Sequence, residues 1–92
     1  GPSVKSLAVA NFQRETMRLA IEAMDRYSQD ARDISTMSVG VSEDGYRKIT
    51  DMLAECRKNI AEIASADHNA DRVYQVNFQA FPLSKSKNGR IQ

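Results

Sequence analysis

Tyr46, Ile49, Leu53, Cys56, Ile60 and Ile63 recur at alternating steps of three and four, and this spacing constrains the chain more than any other feature. At about 100° per residue it gathers them, with Met52 and Ala64, into one helical stripe about 120° wide. Arg47, Lys48, Asp51, Glu55, Lys58 and Glu62 take the opposite side. Residues 43–66 therefore read as an amphipathic helix with one packed face and one wet face. Ser42 is placed to cap it, and Glu43 and Asp44 put negative charge at its positive end. A coiled coil is the weaker reading, because the stripe has fewer than three to four heptads and no systematic flanking charge. A single helix cannot cover its own stripe, so the cover must come from elsewhere.

A second helix is expected over 11–28. Leu19, Phe12, Ala23, Thr16, Tyr27, Ala20, Met24, Met17 and Ile21 spread over an arc of roughly 200°, wider than the contact with one neighbour requires. The Met17/Ile21/Met24 edge is therefore either intramolecular core or a subunit contact, and flexible methionines suit both. Residues 34–41 change to a period of two, with Met37, Val39 and Val41 on one side, and predict a half-buried strand. Residues 72–81 repeat the pattern. There Tyr74, Val76, Phe78 and Ala80 alternate with Gln75, Asn77 and Gln79 until Pro82, which lacks the N–H a ladder needs.

The expected fold is thus α+β in the order α-β-α-β, a two-layer helix-on-sheet arrangement equivalent to a split β-α-β or ferredoxin-like half. Two strands joined through a helix should run parallel with a right-handed crossover. Two strands are too few for a stable sheet, so a twofold dimer with a four-stranded sheet is the expected completion. The domain is expected over 11–83, after a tag-removal scar and loose leader at 1–10 and before a basic disordered tail at 84–92.

The chain's 92 residues, 41% hydrophobic and 27% charged, are ordinary for one folded domain. The net charge of +1 hides an asymmetry. Lys85, Lys87 and Arg90 follow Leu83 with no acid among them, which leaves the body mildly acidic. The lone Cys56 fits a reducing compartment, and no apolar run is long enough to span a bilayer, so a soluble cytoplasmic protein without membrane partners is expected. Glycines at 1, 40, 45 and 89 form no phosphate loop. His68 reads as a solvated connector, and Cys56, within the stripe, as a buried structural thiol. No zinc spacing occurs, and the expected outer strand face lacks the aromatics on which RNA readers stack bases. No catalytic residue, metal ligand or cofactor-binding residue is assigned. The Gln75/Asn77/Gln79 row is a candidate polar contact surface, and ordinary solvation explains it equally well.

Two stretches, RDISTMSVGVSE at 32–43 and DRVYQVNFQAFPLS at 71–84, together with Arg14-Glu15-Thr16-Met17 and Ala23-Met24-Asp25-Arg26-Tyr27, resemble the C-terminal domain of the Fibrobacter succinogenes paralogous family. The resemblance covers about 11–84. It implies a cytoplasmic bacterial regulator whose DNA-binding region, of helix-turn-helix or winged-helix type, precedes this domain, and it supplies no catalytic residues. The combined expectation is a noncatalytic dimerisation or regulatory domain of a transcriptional regulator, with Met17, Ile21 and Met24 at the dimer contact. DNA would be reached only through the preceding region. The alternative is a sensor domain binding a small effector at the dimer seam or on the Gln75/Asn77/Gln79 face.

Overall fold

A computed structural model describes residues 3–87. Helix α1 spans Val4–Arg26, a short 3-10 turn follows at Gln29–Ala31, and helix α2 spans Glu43–Ala66. The chain divides into two compact units, one up to Val39 and one from Gly40.

In the first unit α1 begins well before position 11. The Ser3 hydroxyl oxygen accepts a hydrogen bond from the Ser6 N–H at 3.1 Å, and the Leu7 N–H donates to the Ser3 carbonyl. With that cap in place, and no glycine or proline between Ser3 and Tyr27, nothing interrupts helix propagation through the segment expected to be a loose leader. The helix closes where the Tyr27 N–H donates to the Ala23 carbonyl, and Arg32 Nε then donates to the Tyr27 carbonyl at 3.1 Å. Thr16 is the buried residue of α1, only 6% exposed, and its hydroxyl donates to the Gln13 carbonyl.

In the second unit α2 occupies the residues that its stripe predicts. The Gly45 N–H donates to the Ser42 hydroxyl oxygen at 3.1 Å, and the Tyr46 N–H to the Ser42 carbonyl at 2.9 Å. Gly45 also allows a close approach, because a Cβ there would lie 3.0 Å from the Cβ of Val41. Arg47 pairs with Glu43 and Asp44, and Lys48 with Asp44, all at exposed sites where such pairs add little. Beyond Ala66 an Asx turn, from the Asn69 N–H to Asp67 Oδ1, redirects the chain. It returns along α2 far enough for the Tyr46 hydroxyl to donate to the Ala80 carbonyl at 3.0 Å.

The α+β expectation is corrected. The described residues hold two helices and no strand, so the fold is all-helical and not a helix-on-sheet or ferredoxin-like half. Period-two alternation favours an extended backbone, but a strand also needs a partner ladder, and neither 33–41 nor 72–82 has one among the described residues. The expected inward residues are open: Met37 is 83% exposed, Tyr74 72%, and Val39, Val41 and Val76 are exposed as well. On the last segment Asn77 is half-buried beside half-buried Phe78 and Ala80, so the predicted separation into a covered and a wet side also fails. The tail expected at 84–92 lies outside the described residues from position 88 onward.

The Tyr46 bond gives a direct check on the second unit. Tyr46→Phe should cost about 1 kcal/mol, the net worth of one hydrogen bond. The backbone NMR resonances of Ala80 and Phe81 should shift while the helical circular dichroism of α2 stays unchanged.

Candidate interaction surface

The described surface carries many large apolar side chains. No apolar side chain is buried among the described residues. On α1, Met17, Ile21 and Met24 fall at i, i+4 and i+7, so the helix brings all three expected contact residues onto one exposed edge. Leu7, Val9, Phe12, Leu19 and Tyr27 are exposed too. Leu7 and Val9 were legible only to a reading that carried α1 back to its Ser3 cap.

On α2 the stripe divides lengthwise. Tyr46, Ile49, Leu53 and Ile60 are half-buried, whereas Met52 and Ile63 are 73% and 70% exposed. Cys56 lies on that open edge and is exposed, which corrects the expectation of a buried structural thiol. Its place in the apolar period predicted contact, but the returning segment is tied to the Tyr46 side and leaves the Cys56 side open.

The polar row is brought together only in part. Gln75 Nε2 donates to Asn77 Oδ1 at 3.1 Å, Asn77 is half-buried, and Gln79 is exposed. Open hollows occur among the described residues. One, of about 480 Å³, is lined by Lys58, Ala61, Glu62, Ser65 and Ala66, all from α2, and the other, of about 260 Å³, by Gln29, Arg32, Asp33 and Ile34. Neither includes His68, Cys56 or the polar row. Among the described residues no group of three or more His, Cys, Asp and Glu side chains could hold a metal ion, and no helix is long and apolar enough to cross a membrane.

Electrostatics on α1 centre on Arg18, which bridges Glu15 one turn back and Glu22 one turn ahead, with Nη1 2.7 Å from Glu22 Oε1. The hydrogen bond from Arg18 holds the Glu15 carboxyl below its ordinary range, and Glu15 in turn raises the Arg18 guanidinium. Both side chains are about half exposed, so this staple is screened and orders the helix surface more than it stabilises the fold.

Among the described residues, the fold and surface define an all-helical domain with two α-helices that both carry uncovered apolar surface. The chain belongs to the family described as Domain of unknown function (DUF4423), whose profile matches residues 2–83 and so includes the leader. No curated protein and no solved structure matches it.

The Arg18 staple predicts a pH response. Because the folded-state pKa of Glu15 is lowered, the stabilisation is present above the ordinary glutamate range and is lost as pH falls through the lowered value. A carboxyl-carbon NMR titration should find the Glu15 midpoint lower in the parent chain than in Arg18→Ala. Equal midpoints would show that the staple does not persist in solution.

Proposed function

We propose that this chain is a noncatalytic self-association and regulatory domain that acts as a homodimer in the cytoplasm. In the protein it serves, of the bacterial transcriptional-regulator kind that its sequence resembles, contact with DNA would belong to a separate N-terminal region. One observation carries the reading: both helices present apolar edges, and no described apolar side chain is buried. Ordering a chain of this length costs on the order of 100 kcal/mol of conformational entropy, and burial of apolar surface is the main term that offsets it.

A second copy supplies matching apolar surface, because the Met17/Ile21/Met24 edge and the open edge of α2 are uncharged and can face their own copies.

Folding and association should then be coupled. Light scattering at tens of micromolar is expected to give about twice the 10.3 kDa chain mass, and the melting temperature should rise with protein concentration. Met24→Asp should lower the melting temperature and shift the mass toward the monomer. A folded 10.3 kDa species with a concentration-independent melting temperature would overturn the proposal.

A further inference from the structure

The half-buried side of α2 finds its cover within the chain. Tyr46, Ile49, Leu53 and Ile60 are half-buried, and at about 100° per residue they share about 60° of the helix circumference. The chain leaves α2 at Ala66 and comes back to it at Ala80, whose carbonyl accepts a hydrogen bond from the Tyr46 hydroxyl at 3.0 Å. The footing of that return is short. Asn77, Phe78 and Ala80 are half-buried, whereas every residue of 71–76 and 81–85 is exposed. We propose that residues 77–80 are a detachable strap. Closed, they cover the Tyr46/Ile49/Leu53 side of the stripe; lifted, they release it while α2 stays helical.

Lifting the strap breaks little. Residues 72–82 belong to no ladder among the described residues, so their departure leaves no strand partner unpaired. Phe78 and Ala80 are only half-buried, so a small apolar area returns to water. The Tyr46 hydroxyl and the Ala80 carbonyl exchange each other for water, and the bond from Gln75 to Asn77 lies within the segment and moves with it. The backbone hydrogen bonds of α2 run within the helix, and its Ser42 cap lies at the end opposite to the point where the return begins. Segments with few buried apolar contacts open locally, well below the free energy of global unfolding. The consequence is a stripe of two widths. Met52, Cys56 and Ile63 are open with the strap in place, and lifting it joins Tyr46, Ile49 and Leu53 to them. The position of the strap therefore sets how much apolar surface α2 presents, and it does so inside the second unit, independently of self-association.

A thiol at position 53 reports the opening, because labelling follows the opening equilibrium when closing is faster than the reagent. In Cys56→Ser chains carrying Leu53→Cys, iodoacetamide should label position 53 more slowly than it labels Cys56 in the parent chain. Adding Tyr46→Phe should raise the rate at position 53 roughly two- to tenfold, the factor that one net hydrogen bond represents. Cys56 in the Tyr46→Phe single variant should label as in the parent, with the same helical circular dichroism. Low urea should leave the rate at position 53 nearly unchanged, since lifting the strap exposes little surface. Ile49→Cys in the same background is the second reporter if Leu53→Cys loses helix. An equal rate with and without Tyr46→Phe, or a rate that climbs with urea in step with loss of helix, would show that the cover leaves only on unfolding and would overturn the strap.

Discussion

An apolar stripe on a helix has to be covered, and in this chain the cover supplied from within is slight. The returning C-terminal segment reaches the Tyr46 side of α2 and is tied there by a hydrogen bond from the Tyr46 hydroxyl to the Ala80 carbonyl. The ends of α2 are set by local devices: the Ser42 cap, the first-turn ion pairs and the Asx turn after Ala66. Local devices define where a helix starts and stops, but they do not supply the burial that keeps it folded. The remaining Met52/Cys56/Ile63 edge and the broad apolar arc of α1 are therefore the surfaces on which folding free energy depends.

Features that rest on short-range chemistry could be read from the sequence. The three-and-four spacing, together with Ser42, Glu43 and Asp44, specifies both the existence and the start of α2, because cap, dipole and stripe agree. The placement of Met17, Ile21 and Met24 on one face follows from helix geometry alone. The N-terminal half of α1 was obscured because Gly1-Pro2-Ser3 resembles a cloning scar, whereas Ser3 is the residue that caps the helix. The expected sheet failed for a different reason. Alternation at 34–41 and 72–81 describes which way side chains point, and a ladder depends on which backbone lies alongside, a non-local fact that single-residue patterns do not contain. Cys56 was misjudged in the same way, since a place in an apolar stripe states a need for cover and not whether the same chain provides it.

The identity of the exposed groups also bears on function. The apolar edges hold mainly Met, Ile, Leu and Phe, with no Asp, Glu, Lys or Arg, and the lowered carboxyl of Glu15 is accounted for by the Arg18 staple at the helix surface. A perturbed acid in a cleft would suggest proton chemistry, but a perturbed acid in an exposed turn-to-turn pair is ordinary helix electrostatics. Among the described residues of this family member, uncovered apolar side chains are the most prominent surface feature.

The bond between Tyr46 and Ala80 also acts as a gauge of chain length. From Tyr46 to the end of α2 is about 30 Å of helix, while the chain from Ala66 to Ala80 can reach at most about 46–50 Å when fully extended. The return must therefore run at roughly 60–65% of full stretch. About five residues of slack remain. A return shortened beyond that slack would lift Ala80 off Tyr46 and uncover the edge of α2 that this segment reaches.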